Sequence, residues 1–284
     1  MDRRLYLLKF GGNTVSDAEG LRRLFGEVAQ LVSRGFSIVI VHGGGKEISA
    51  EMEKRGLEPV MVAGQRKTDI AALDCVETVL RAINGRLVAA LEAESVRAVG
   101  MPAYFFTESR RREPFRICED GVEKEVDMGY LGDVTSVDAQ TIYDIVDEGI
   151  VPVIYPVGSD GITHLNVNAD TMAAGIAAGI GCREMIAITD VPGILRDLHD
   201  PSSKIDRVSL SDIDRLISDG TISGGMIPKV EACRRAVLAG AEAVRMVDGK
   251  NPENIVIDVF EGKPRGTLIV RRRGLNGFQY SKRA

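Results

Sequence analysis

Apolar runs at residues 5–8, 36–41 and 150–155 are too short for helices and suit strands buried on both faces of a parallel sheet. Between the first two, Leu21, Leu24, Phe25, Val28, Leu31 and Val32 recur at helical spacing. Ser16 and Glu19 form a capping-box pattern ahead of that helix, and Gly35 is placed to end it. A helix carrying Ile48 and Met52 follows the second strand. Residues 60–67 are irregular. Thr68-Asp69 then starts a helix with Leu73, Val76, Leu80, Ile83, Leu87 and Leu91 on one face. A strand at 96–99 and a helix at 141–148 complete the first half.

The second half repeats this grammar. An Ala/Gly-rich helix at 172–180 leads to a strand at 185–189, helices at 211–218 and 230–239, and strands at 243–247 and 267–270. Strands alternating with helices predict an α/β fold with a mainly parallel, helix-covered sheet. No Pro- or Ser-rich linker intervenes, so two lobes on one continuous sheet are expected. Residues 104–133 break the pattern. They are polar and charged, with a turn at Glu119-Asp120-Gly121, and read as a hairpin-bearing excursion or lid. The basic stretch 271–284 reads as a tail.

Composition narrows the partners. A net charge of −5, no Trp and 5% aromatic residues argue against nucleic acid. No apolar run is long enough to span a bilayer, and Met1-Asp2-Arg3-Arg4 leads into only four apolar residues, unlike a signal peptide. The expected location is the cytoplasm. Cys75, Cys118, Cys182 and Cys233 form no C-x-x-C pair, and His42, His164 and His199 lack metal-ligand spacing, so no protein metal site is expected.

The chemistry gathers at segment edges. Gly43-Gly44-Gly45 lies between a strand and a helix, where backbone N–H groups receive an anion or simply turn the chain. It is neither a Walker A loop nor a Rossmann fingerprint. Lys9 ends the first strand, the place where open α/β sheets bind ligands. Lys229 follows Gly224-Gly225 at a helix start. Two lysines from opposite halves suit a transferring phosphoryl group, with Asp170 placed to hold both ammonium groups. Asn168 or Asp170 caps the helix that follows. Asp190-Val191-Pro192-Gly193 reads as a nucleotide loop or a turn, and Arg66 as a carboxylate clamp or a surface arginine.

Taken together, Lys9-Phe10-Gly11-Gly12, His42-Gly43-Gly44-Gly45, Gly64-Gln65-Arg66-Lys67-Thr68-Asp69, Asp127-Met128-Gly129-Tyr130-Leu131-Gly132, Asn166-Val167-Asn168-Ala169-Asp170, Thr189-Asp190-Val191-Pro192-Gly193 and Gly224-Gly225-Met226-Ile227-Pro228-Lys229 resemble the amino acid kinase family over residues 5–270. Within it, the resemblance is to the branch that phosphorylates N-acetyl-L-glutamate.

The resemblance implies a three-layer α/β/α sandwich in two lobes. Residues 1–172 would bind the acyl amino acid and dimerise, and 173–270 would bind ATP. It puts Lys9 and Lys229 on the phosphoryl group and Asp170 between them. Gly44, Gly45, Arg66 and Asn166 match substrate-binding positions. Gly11, Gly12, Asp190, Val191, Gly193, Ile194, Leu195, Thr221, Ile222 and Ser223 match nucleotide-binding positions. Mg²⁺ would ride on the ATP phosphates. The implied reaction converts the side-chain carboxylate to a phosphoric anhydride, a step of arginine biosynthesis. A homodimer is implied, without arginine feedback because the family's extra N-terminal helix is missing.

Three positions depart from the family pattern and bear on the acyl substrate: Gln65 stands where an apolar residue is usual, 100–104 lacks Ser-Gly-Lys-Asp, and Arg245 replaces a His. Two alternatives stay open. One is a related carboxylate kinase acting on aminoadipate or glutamate held by an acidic carrier protein, for which Arg110, Arg111, Arg112 and Arg116 would supply a basic rim. The other is a non-catalytic amino-acid sensor on the same fold.

Overall fold

The structure is a computed structural model and describes residues 5–11, 18–62, 64–119, 122–249 and 255–272. In chain order, β1 (Leu5–Phe10), α1 (Ala18–Ser33), β2 (Ser37–His42) and α2 (Gly45–Lys54) lead to two short strands, β3 (Met61–Val62) and β4 (Gln65–Arg66). The long α3 (Ile70–Ala93) precedes β5 (Ala98–Pro102), β6 (Thr107–Arg111), β7 (Phe115–Glu119), β8 (Val122–Val126) and β9 (Leu131–Val137). Next come α4 (Ala139–Asp147), β10 (Val151–Tyr155), β11 (Val157–Ser159), β12 (His164–Val167), α5 (Ala169–Gly179) and β13 (Glu184–Thr189). The chain continues through β14 (Arg207–Ser209), α6 (Leu210–Ser218), α7 (Met226–Ala239), β15 (Ala243–Asp248), α8 (Ile255–Phe260) and β16 (Thr267–Val270).

Eight strands form the main sheet in the order β14-β16-β15-β13-β1-β2-β10-β5, parallel except where β16 runs against β15. Its buried strands alternate sides. Leu5 and Leu7 of β1 enter the core shared with α4, α5, α6 and α7, while Tyr6, Leu8 and Phe10 enter the core shared with α1, α3 and α8. Helices thus cover both faces, giving three α/β/α layers. β1 lies at the centre, with β2 of the first half on one edge and β13 of the second half on the other. Strand order diverges there, which opens a crevice at the carboxyl ends of these strands.

The expected strands and helices of the main sheet are present with shifted ends. β1 continues through Phe10, so Lys9 lies inside the strand rather than ending it. Residues 60–67 contain the β3–β4 ladder instead of being wholly irregular. The polar excursion contributes β6 and β9 to a second sheet, β11-β12-β9-β6, and carries the separate β7–β8 pair. Of the turn expected at Glu119-Asp120-Gly121, Glu119 ends β7 and the other two residues lie outside the described residues, as do the cap at Ser16 and most of the basic tail (273–284). Among the described residues no helix is long and apolar enough to cross a membrane.

Candidate active site

Strand alternation decides where Lys9 points. It shares the face of Leu5 and Leu7, so its side chain runs toward α5. Asn168 caps that helix, its Oδ1 accepting from the N–H groups of Asp170 (2.9 Å) and Thr171 (3.2 Å). The cap sets Asp170 in the first turn, where the helix dipole favours a carboxylate. Lys9 Nζ reaches Asp170 Oδ1 at 2.7 Å, with the ammonium largely buried and the carboxylate one-third exposed.

The neighbouring β2 ends at His42, under the glycine turn. Gly44 caps α2, and a Cβ there would come within 2.5 Å of Ile83 Cδ1 and 3.2 Å of Leu80 Cδ2, so a larger residue would have to displace the ends of these α3 side chains. A Cβ on Gly45 would meet nothing within 4 Å, because that residue faces open space. Gly129 has a different constraint. Its φ is +70°, and a Cβ would lie 2.1 Å from the Thr68 carbonyl oxygen, where the two backbones pair. That pairing ties the 127–132 motif to the segment carrying Arg66. Asn166 joins the same knot, donating from Nδ2 to Thr68 Oγ1 at 2.9 Å.

His42 is fully buried. Asn84 Nδ2 donates to its Nε2 at 3.1 Å, which leaves the proton on Nδ1 to donate to the Gly43 carbonyl at 3.0 Å. Burial pushes its pKa down to about 4, against an upward pull from the Gly43 bond. In the unfolded chain the imidazole takes up its proton near 6.5, so between pH 6.5 and 4 the unfolded state binds more protons and acid favours unfolding. Stability gained by keeping His42 neutral is complete above 6.5 and lost as pH falls toward 4. Urea titrations should show wild type losing up to about 3 kcal/mol more than His42→Gln across that window. Parallel pH profiles would contradict the buried neutral imidazole.

A cleft of about 230 Å³ opens at the carboxyl ends of β1 and β2, and Lys9, Gly11, Gly44, Gly45, Arg66 and Asn166 all line it. Arg66 is buried. Its Nη2 donates to Gly45 O (3.0 Å) and Ser49 Oγ (2.8 Å), and its Nη1 to Met52 Sδ (3.2 Å). No carboxylate pairs with it among the described residues. Burial lowers its pKa from the usual guanidinium value, partly offset by the Cys75 sulfur.

Other expected residues sit elsewhere. Lys229 occupies the first turn of α7 and pairs with Asp190, just past β13, instead of sharing Asp170 with Lys9. Ile194 and Ile222 are completely buried in the core beneath α6 and α7, leaving only their backbones to meet a nucleotide. Ile194 N–H is itself bound to Thr267 Oγ1 at 2.8 Å. Leu195 is also buried, while Asp190, Val191 and Thr221 are half-buried and Ser223 is exposed. Gly12 lies outside the described residues. Cys233, buried near Lys9 and Asp170, is pushed up to about 12 by desolvation first and by Asp170 second, so its thiol stays protonated. No cluster of three or more His, Cys, Asp or Glu able to hold a metal occurs among the described residues.

Sequence reading passed over Asn84 and Asp133 and missed the contact that Arg112 makes. Asn84 fixes the ring under the glycine turn from the middle of α3, where it sits among apolar neighbours as an unremarkable helical position. Arg112, held by Asp133, reaches Gln65 across a long sequence separation with no local motif to announce either contact.

An open parallel sheet with its cleft at the divergence of strand order marks a ligand-binding α/β protein. Comparison of the sequence makes the class specific: the chain belongs to the amino acid kinase family, which matches residues 4–248. It is 38% identical over 270 residues to acetylglutamate kinase of Methanococcus aeolicus, covering 93% of this chain and 91% of that one. It is 36% identical over 273 residues to acetylglutamate kinase of Methanothermobacter thermautotrophicus, covering 94% and 93%. Solved structures share the fold. N-acetylglutamate synthase of Neisseria gonorrhoeae, complexed with coenzyme A and N-acetyl-glutamate, superposes with a TM-score of 0.78 at 21% identity, covering 96% of this chain and 60% of that one. Carbamate kinase of Giardia lamblia bound to AMP-PNP gives 0.68 at 16% identity, covering 95% and 99%.

Proposed function

We propose that the chain transfers the γ-phosphoryl group of MgATP to the side-chain carboxylate of N-acetyl-L-glutamate. The observation that carries this reading is the buried, carboxylate-free Arg66 facing the same cleft as Lys9. A guanidinium in that state suits a substrate carboxylate bound through paired N–H groups. A second carboxylate, on the side chain, would then lie toward Lys9 and the turn at Gly43–Gly45. The family membership and the names of the relatives support the same substrate.

The chemistry needs no general base. A side-chain carboxylate, with an ordinary pKa of about 4.3, is ionised at neutral pH and is already the nucleophile. The residues contribute position and charge. Arg66 and Asn166 orient the substrate, Lys9 meets the charge on the transferring phosphoryl group, and Asp170 holds Lys9 in place. Lys229, with the loop at Asp190 and the segment at Thr221, would meet the nucleotide side, and Mg²⁺ would arrive with the nucleotide. The sum is carboxylate plus ATP giving acyl phosphate plus ADP, with the bond from the γ-phosphorus to its bridging oxygen broken.

A large acidic carrier fits less well. Arg111 donates to Gly129 O at 2.6 Å and faces Asp127, Arg112 is paired with Asp133, and Arg116 lies 3.5 Å from Glu125. Three of the four arginines expected to form a basic rim thus have acidic neighbours. A homodimer belongs to the same reading, and the exposed Ile70 and Phe105 offer apolar surface for it.

The test is ATP-dependent hydroxamate formation on a substrate panel. N-acetyl-L-glutamate should give the highest kcat/KM. 4-Acetamidobutyrate keeps the reacting carboxylate and the acyl amide but lacks the group assigned to Arg66, and should fall roughly a hundredfold, the scale of a charged hydrogen-bonded contact. Equal turnover of the two, or none of N-acetyl-L-glutamate, would overturn the reading.

A further inference from the structure

Gln65 also lines the cleft, beside Arg66 on β4. Adjacent strand residues project to opposite sides. Arg66 reaches α2, whereas Gln65 reaches Arg112, whose Nη1 donates to Gln65 Oε1 at 2.5 Å. Arg112 is itself fixed. Its Nε donates to Asp133 Oδ2 at 2.7 Å, its Nη2 pairs with the other carboxylate oxygen, its backbone N–H donates to Leu131 O at 2.8 Å, and its guanidinium lies 5.5 Å from the Phe115 ring centre. This arrangement settles which way the carboxamide faces. A guanidinium has donors and no acceptor, so only the amide oxygen can meet it. The Gln65 NH₂ group is therefore turned away from Arg112, and it has no partner among the described residues.

Resting on the substrate proposed above, we infer that Gln65 is a specificity residue whose Nε2 donates to the acyl carbonyl oxygen of the bound N-acyl amino acid. The choice of atom follows from what remains unmatched. Arg66 takes the α-carboxylate and Lys9 faces the reacting end. The amide is the polar group left on the substrate, and its oxygen is the acceptor that an NH₂ donor complements. The Asp133–Arg112 pair holds the carboxamide in the donor-outward orientation before substrate arrives, which lowers the ordering cost of binding.

Gln65→Leu and Gln65→Glu test the assignment, with KM and kcat measured for N-acetyl-L-glutamate and ATP. Wild-type turnover of N-acetyl-L-glutamate judges the reaction itself, and the variants judge the role of Gln65. Both variants should raise KM for N-acetyl-L-glutamate roughly three- to tenfold, the loss of one neutral hydrogen bond, while KM for ATP stays within about twofold. Gln65→Glu is the sharper variant. It keeps an acceptor for Arg112 and replaces the donor with a carboxylate oxygen, so a loss matching that of Gln65→Leu separates the donor role from a structural one. Unchanged KM in Gln65→Glu would overturn the inference, as would parallel rises in both KM values. A loss far beyond that of Gln65→Leu would also overturn it, because like-charge repulsion would place the α-carboxylate at this side chain.

Discussion

Lys9→Ala should lower kcat by roughly a hundredfold or more, the scale found when one preorganised donor to a developing charge is removed. The position of the ammonium is overdetermined. β1 is the central strand, its alternation sends Lys9 to the α5 face, and Asp170 meets it at 2.7 Å from a turn capped by Asn168. The charge is in place before any phosphate arrives, so little reorganisation remains during the reaction. Negative charge shifts along the axis of transfer as the phosphoryl group moves, and a fixed cation there stabilises the transition state more than the ground state. The loss should therefore fall on kcat with KM for N-acetyl-L-glutamate changing much less. A folded Lys9→Ala protein with near-normal kcat would remove Lys9 from the chemistry.

Lys229→Ala should also reduce kcat by about a hundredfold, but through a different carboxylate. Lys229 is paired with Asp190 and stands in the first turn of α7, so it approaches from the β13 side of the cleft. Both partners are about one-third exposed, which leaves the ammonium able to exchange Asp190 for a phosphate. If Asp190 acts by aiming Lys229, Asp190→Asn should cost less than Lys229→Ala and add little on the Lys229→Ala background. Steady-state kinetics of the three variants, at saturating MgATP, checks this. A full additional loss in the double variant would mean that Asp190 works on the nucleotide by itself.

The sequence made the sheet legible because its strands are buried on both sides. β1, β2, β10 and β13 each contain a continuous apolar run, and β15 one broken only by Arg245, so they need no partner to be recognised. β11, β12 and β14 went unread. They are three or four residues long, and β12 contains His164 and Asn166, so pairing rather than local pattern defines them, β11 with β12, β12 with β9 and β14 with β16. α8 was also unread; its first turn is held by Glu27, whose side chain accepts from the N–H groups of Val256 (2.8 Å) and Ile257 (2.9 Å) across more than two hundred residues.

The site divides along the same line. Gly44, Gly45 and Asn168 could be picked out because turns and caps have local signatures, and Lys9 because it interrupts an apolar strand, whereas Asn166, inside β12, came only with the family resemblance. Which carboxylate each lysine meets could not be picked out. Asp170 and Asp190 both sit at element edges, and only the packing of α5 and α7 on the sheet assigns one to Lys9 and the other to Lys229. Motif matching also does not separate side chain from backbone, which is why Ile194 and Ile222 stood among nucleotide positions while their side chains fill the core.

The central claim is that Asp170 contributes to phosphoryl transfer by holding Lys9. The most direct measurement is a kcat double-mutant cycle on Lys9→Ala and Asp170→Asn, with hydroxylamine trapping the acyl phosphate of N-acetyl-L-glutamate and circular dichroism confirming that each variant is folded. The account predicts that Asp170→Asn lowers kcat in the wild-type background and has little further effect once Lys9 is gone, so the double variant costs much less than the two single losses added in free energy. Strict additivity, with Asp170→Asn costing the same whether or not Lys9 is present, would contradict it.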